Sequence, residues 1–322
     1  MIRNIMLPSV NSKIRGMYSN GLTKEDYEDL IKQTQIKDVI VLLKNKNKEL
    51  EDLSIDSTRV QIEEVLDRTI ITNIKKVELV LKGKNQELFD LFILKYAIKC
   101  AKIKWKMLET MDETQSSYIE NWVGSIFPNL KNLYEAKTKE EFINNIYHKK
   151  IKMIFENNDD LFQIENKLDK FYFETLYNEA YKYSKETADL VDEITDLFNF
   201  EWMYRIKRYY GITDENNLVS NKYKINKLDF KKISEAKDVS EINEVLSHTI
   251  YKDIFVGEDV YTNIKKYLMK RYKKLMRRNI FDIASIISYF SIKEIENENI
   301  INIIEGIRYK ISAEEIQKKI VI

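Results

Sequence analysis

Residues Ala136-Lys-Thr-Lys-Glu-Glu-Phe-Ile-Asn-Asn-Ile-Tyr-His-Lys-Lys-Ile-Lys-Met-Ile-Phe155 return one hundred positions later as Ala236-Lys-Asp-Val-Ser-Glu-Ile-Asn-Glu-Val-Leu-Ser-His-Thr-Ile-Tyr-Lys-Asp-Ile-Phe255. Ala, Lys, Glu141/Glu241, His148/His248, Lys152/Lys252, Ile154/Ile254 and Phe155/Phe255 are identical, and Phe142/Ile242 and Ile146/Leu246 stay apolar. The same offset recurs downstream at Asn199/Asn299, Arg208/Arg308 and Tyr209/Tyr309. An offset held over more than 70 residues marks a repeated structural unit. A further copy lies at an offset of 180, where Ile62 to Ile74 shares seven of thirteen residues with Ile242 to Ile254. Its later half is shorter; Asp90 and Lys99 keep the nine-residue spacing of Asn199 and Arg208. The chain therefore divides into three units: 1–115 with an N-terminal helical extension, 116–215 and 216–322.

Within the units the apolar spacing is helical. Thr23-Lys-Glu-Asp26 supplies a capping residue and an acidic first turn, with Tyr27, Leu30 and Ile31 on one face behind it. Thr138-Lys-Glu-Glu141 repeats the device ahead of Phe142 and Ile146. Seven Gly and two Pro in 322 residues, against a usual combined share of about 12%, leave too few turn formers for a sandwich, barrel or propeller. The expected class is all-α, with more than half the chain helical. Short loops are expected at Lys44–Ser57, Gly83–Gln86, Asp112–Ser117 and Asn157–Asp160, and a polar linker at Gly211–Lys224.

Several function classes lack their residues. No glycines cluster into a phosphate loop. Cys100 is alone, so no internal disulfide forms, and its amphipathic surroundings give it the role of a small buried hydrophobe. His148 and His248 occupy the same position of successive units, with Arg68 in the first, and equivalent positions stand apart rather than converge on a metal. Asn157-Asn-Asp-Asp160 reads as a solvated turn. Neither cofactor nor metal is expected, and no catalytic constellation is found. There is no signal peptide and no apolar run long enough to cross a membrane, which predicts a cytosolic chain.

Charge is balanced, 53 Lys+Arg against 52 Asp+Glu, but it is unevenly placed. Between Tyr261 and Asn279 lie Lys265, Lys266, Lys270, Arg271, Lys273, Lys274, Arg277 and Arg278, with no acid after Asp259. At about 100° per residue all but Lys265 share an arc opposite Ile264, Leu268, Met269, Tyr272, Leu275 and Met276. This predicts an amphipathic helix with a basic outer face, open to solvent, an acidic protein, lipid headgroups or nucleic acid. Acidic stretches precede the two asparagines: Glu186, Asp189, Asp192, Glu193 and Asp196 before Asn199, and Glu294, Glu296 and Glu298 around Asn299. Alternating charge of this kind suits a many-sided interaction body.

Three stretches carry a resemblance. Ile14-Arg15-Gly-Met17 with Leu22-Thr23, the block Leu246-Ser-His-Thr-Ile-Tyr251, and Lys293-Glu-Ile-Glu-Asn-Glu-Asn-Ile-Ile-Asn-Ile-Ile-Glu-Gly-Ile-Arg308 with Ile311-Ser-Ala-Glu-Glu-Ile316 resemble the C-type subunits of V/A-type rotary ATPases, the family that includes the d-type subunits of eukaryotic vacuolar enzymes. The first unit departs most, with Arg68 and Ile71 in place of His248 and Tyr251. The resemblance implies three helical lobes in a pseudo-threefold funnel and a non-catalytic central-stalk role. It implies a socket between the shaft subunits and the membrane proteolipid ring, on the cytoplasmic face and attached to the membrane only through the complex. No nucleic acid and no homo-oligomer are expected. Candidate partner contacts are Lys266, Lys270, Lys273 and Arg277 on the basic helix, and Asn199, Arg208, Asn299 and Arg308 near the long helix ends. Two other readings stay open: a helical-repeat scaffold with its units in a row, and a nucleic-acid binder using Tyr261–Asn279.

Overall fold

The computed structural model describes residues 6–111, 127, 130–158, 160–210, 218–219, 224–225, 227–257 and 259–322, with the side chains of 6, 206–210 and 227 outside this set. It is 76% helical, with no strand among the described residues. The first unit contains α1 (Met6–Ser19), α2 (Lys24–Ile31), α3 (Ile36–Lys46), a 3-10 turn (Lys48–Leu50), α4 (Arg59–Glu78) and α5 (Lys84–Thr110). The second contains α6 (Lys131–Glu135), α7 (Lys139–Asn144), α8 (Lys149–Glu156), α9 (Leu161–Tyr183) and α10 (Lys185–Tyr210). The third contains α11 (Lys227–Glu235), α12 (Val239–Leu246), α13 (Val260–Arg278), α14 (Ala284–Arg308) and α15 (Ala313–Lys319).

Local chemistry explains the helix starts. The Thr23 hydroxyl accepts from Asp26 N–H while the Asp26 carboxylate accepts from Thr23 N–H, a reciprocal capping box. Thr138 and Asp238 cap α7 and α12 by accepting from the backbone of Glu141 and Glu241. Those two glutamates then accept from Lys137 N–H at 2.8 Å and Lys237 N–H at 2.7 Å. The repeated sequence thus makes the same bonds twice. The loops differ in part: Lys84–Gln86 already form the first turn of α5, and the break lies earlier, at residues 79–83, ending on Gly83 at φ 57°. The expected loop at 112–117 and nearly all of the 211–224 linker lie outside the described residues.

The first unit also departs from the third in backbone. Ile62 to Ile74 is the interior of one 20-residue helix, whereas the matching helix α12 stops at Leu246. The Ser247 and Thr249 hydroxyls donate to the carbonyls of Glu244 and Leu246, and Thr249 Oγ accepts from Tyr251 N–H, a turn that competes with helix continuation. In α4 the Ile70 side chain is 1% exposed, against 53% for its counterpart Ile250, so burial favours carrying the helix onward.

Three hydrophobic clusters hold the helices; the largest draws on α1, α4 to α10, α13 and α14, and in each cluster the end of a long helix meets a set of shorter ones. The end of α5 meets the small helices of the second unit, with Trp105 packed on Phe142 and Phe155 at ring distances of 5.5 and 5.0 Å. The end of α10 meets the small helices of the third unit, with Phe200 on Tyr251 and Phe255 at 5.3 and 6.3 Å. The end of α14 returns to the first: Ile300, Ile303, Ile304 and Ile307 share a cluster with Tyr27, Leu30, Val39, Leu43, Ile62 and Leu66. The C-terminal end of α14 therefore packs back on the N-terminal helices α2, α3 and α4. Stacking in an open row would leave both terminal units uncovered on one side, so this packing disfavours the scaffold reading. Helix α14 is buried on almost every side and packs against α1, α3, α4, α10, α13 and α15, as expected of a helix apolar around its circumference.

Candidate functional site

Helix α13 is amphipathic, as its spacing predicts. Ile264, Met269, Tyr272, Leu275 and Met276 are buried. Its cations fall into two groups. Two are engaged internally: Lys265 meets the Glu298 carboxylate and lies 3.8 Å above the Tyr261 ring, and Arg271 Nε donates to both Glu193 oxygens at 2.9 and 3.0 Å. Lys266, Lys270, Lys274, Arg277 and Arg278 are exposed and make no ion pair among the described residues, and Lys273 is half-buried. Burial pushes the Lys273 ammonium pKa down, with Glu296 opposing and Arg277 adding to the shift. At the end of the helix Arg15 of α1 donates to Met276 C=O at 2.7 Å and Arg277 C=O at 3.4 Å, where terminal carbonyls lack helical partners.

Three acids of the α10 stretch are turned inward, so they form no outer acidic face of the kind a many-sided body would present. Asp192, Glu193 and Asp196 are all below 7% exposed. Asp189 and Asp192 face the Lys224 ammonium, Asp192 accepts from Tyr181 Oη at 2.9 Å, and Glu193 accepts from Tyr267 Oη at 3.0 Å as well as from Arg271. Asp196 accepts from Lys224 N–H and Tyr251 Oη, both at 2.9 Å. Burial pushes its carboxyl pKa up to about 7, in spite of those two bonds. This seam joins α10 to the third unit.

The two asparagines are likewise internal. Asn199, 0% exposed, donates through Nδ2 to Val219 C=O at 3.1 Å and accepts at Oδ1 from Val219 N–H at 2.9 Å. Asn299, 2% exposed, makes the same pair of bonds with Val321, at 2.6 and 2.9 Å. Each amide clamps the backbone of a segment that follows its own helix, so neither side chain is available to a partner. This removes Asn199 and Asn299 from the surface on which the sequence places them. Asp90 makes no such clamp: it is exposed, and Lys99 pairs with Asp67 at 3.0 Å. Arg308 is half-buried, on Glu305 at 2.5 Å and Ser57 C=O at 2.6 Å. The Arg208 side chain lies outside the described residues.

Two concavities have little signal in the sequence. One, of about 480 Å³, is polar and runs between α4, α5, α13 and α14, with Arg59, Asp67, Lys95, Lys99, Glu294 and Asn297 on its walls. Its only trace is that long helices keep charged residues on faces where apolar ones would mark a core. The other, of about 640 Å³, is largely apolar and opens between α5, α6, α8 and α9, with His148 at its edge. His148 and His248 are both exposed, and His148 stands edge-on to Phe171. Among the described residues no three His, Cys, Asp or Glu side chains gather in a way that could hold a metal ion. Cys100 is buried, which pushes its thiol pKa up to about 12.

These observations define an all-helical body whose internal polar groups serve mainly to tie its own helices together. The family model described as ATP synthase (C/AC39) subunit matches residues 10–319, and the chain belongs to that family. The C-type subunit of the A-type ATP synthase of Methanobrevibacter smithii is 22% identical over 215 residues, which cover 59% of this chain and 56% of that protein. No helix among the described residues is long and apolar enough to cross a membrane.

Proposed function

We propose that this chain is the non-catalytic central-stalk subunit of a V/A-type ATP synthase, the socket through which shaft rotation reaches the membrane proteolipid ring. Family membership supports the complex. The observation that carries the finer role is the return of α14 onto α2, α3 and α4. Three units closed in this way surround an axis, and a coupler must meet a rotating shaft on an axis. The units 1–115, 116–215 and 216–322 are then three lobes of a pseudo-threefold funnel. Packed helices at native density resist shear, which suits a part that transmits torque. The chain sits on the cytoplasmic face of the membrane, peripheral, and reaches lipid only through its complex. Coupled ion transport is the activity of the whole assembly.

The test is purification of the tagged chain from gently solubilised native membranes. Recovery of the catalytic subunits, the shaft subunits and the proteolipid in constant ratio is expected. Recovery of the chain without any of them, with intact complex in the same extract, would overturn the proposal.

A further inference from the structure

We propose that the exposed stripe of α13, formed by Lys266, Lys270, Lys274, Arg277 and Arg278, docks an acidic helical face of another protein subunit. The inference rests on the subunit role proposed above and names one contact within it.

The fold itself separates this stripe from the remaining cations of the helix. The acids on the elements that pack against α13 are directed elsewhere: Glu193 of α10 to Arg271, and Glu298 of α14 to Lys265. What remains is a set of cations with no ion pair among the described residues, in a chain whose formal net charge is only +1. Lys266, Lys270 and Lys274 follow one another at four-residue steps, and Arg277 continues the row. At about 1.5 Å per residue this row runs about 16 Å, three turns of helix. An acidic face with Asp or Glu at three- and four-residue spacing presents carboxylates with the same periodicity.

Lipid and nucleic acid fit less well. Between Thr262 and Arg278 no large apolar side chain is exposed, and the exposed Tyr261 and Phe281 stand near opposite ends of the helix, so the stripe has no continuous apolar face to insert among acyl chains. The aromatic rings of the helix are also engaged: Tyr272 is buried, Tyr267 donates to Glu193, and the Tyr261 ring lies under Lys265. Phe281, 62% exposed just beyond the helix, is a single ring and not a run of stacking positions for successive bases. A protein surface of opposite charge requires neither feature. The row also replaces Lys273 with Lys274: Lys273 is half-buried toward Glu296, while Lys274 is exposed.

The experiment is zero-length carbodiimide coupling on the assembled complex, read by mass spectrometry. It joins an ammonium to a carboxylate only when the two are in contact. Amide links from Lys266, Lys270 or Lys274 to Asp or Glu of one other subunit are expected, fading as salt rises. The fourfold variant Lys266→Glu, Lys270→Glu, Lys274→Glu and Arg277→Glu, with helix content unchanged, should be retained in the complex roughly tenfold less at low ionic strength. Links from the chain's other lysines to partners, with none from these three, would overturn the inference, and so would full retention of the variant. Flotation of the full chain with phosphatidylserine vesicles is the lipid arm: equal binding by wild type and variant is expected, and loss in the variant alone would reassign the stripe to lipid. Absence of the wild-type chain from the complex would instead sink the subunit role itself.

Discussion

Replacing Asn199 by alanine removes two hydrogen bonds at once and leaves both of their partners on one buried residue. Val219 is 0% exposed, so neither its N–H nor its C=O can turn to water in place. A hydrogen bond lost at a buried site costs about 0.5–3 kcal/mol, so the pair costs roughly 1–6 kcal/mol. If the segment swings out to solvate itself, it gives up the burial of Val219 and Leu218 (0% and 6% exposed), which is a loss of similar size at about 1.5–3 kcal/mol per apolar side chain. Either route gives a loss of a few kcal/mol. Asn299→Ala should cost about as much, because Asn299 holds Val321 by the same two bonds. Asn132, exposed on α6, is the control, and its replacement by alanine should stay within about 0.5 kcal/mol. The assay is urea unfolding followed by circular dichroism, paired with hydrogen exchange at the Val219 and Val321 amides. Each variant should lose protection at its own valine. A loss below about 0.5 kcal/mol with Val219 still protected would refute the clamp. A large loss in one variant beside none in the other would refute the equivalence of the two units.

Asp196 takes up a proton on folding, because its folded pKa of about 7 lies above the ordinary aspartate value of 3.8. The folded state therefore binds more protons than the unfolded state between those values. Its contribution to stability is largest at the acid end and is lost as pH rises toward 7, by on the order of 4 kcal/mol. Asp196→Asn should flatten the urea-midpoint profile across that window; an unchanged slope would contradict the shift. Arg271→Ala leaves Glu193 buried without its cation and should cost about 3 kcal/mol in urea unfolding, but at least ~1 kcal/mol less in a Glu193→Gln background. Equal costs in the two backgrounds would show that the pair is not coupled. A Cβ on Gly306 would lie 2.6 and 2.7 Å from Ile316 Cγ1 and Cδ1. Gly306→Ala should therefore destabilise by about 1–3 kcal/mol, and should become neutral or stabilising in an Ile316→Ala background, where only the helix-propensity gain of about 1 kcal/mol remains. Destabilisation of the same size in both backgrounds would mean that α15 does not pack there.

Much of the fold is legible in the sequence, for local reasons. Capping at Thr23 and Thr138 needs only a few adjacent residues, and the inward faces of Tyr27, Leu30, Ile31 and Phe142 follow from helical spacing. The hundred-residue offset aligns Asn199 with Asn299, and the structure gives both the same pair of bonds. Their burial cannot be read there, because an asparagine in a charged helix looks like a surface residue until the segment that it clamps is known. The acids of α10 mislead in the same way: they are covered by Lys224, Tyr251 and α13, at least 28 positions away in sequence. The basic helix is readable as amphipathic, but which cations stay free depends on Glu193 and Glu298 arriving from other helices. The closure of α14 on the first unit leaves no periodic signal, since its isoleucines would be equally apolar in an open stack.

A socket between shaft and ring is indispensable to coupling, so coupling gives the most direct test of the proposed role. Native membranes carrying the complex should be stripped of this chain alone and assayed for ATP hydrolysis and ATP-driven ion transport, before and after the purified chain is added back. Hydrolysis by the catalytic head should persist without the chain, while ion transport disappears and returns on reconstitution. Ion transport that continues undiminished in its verified absence would contradict the account.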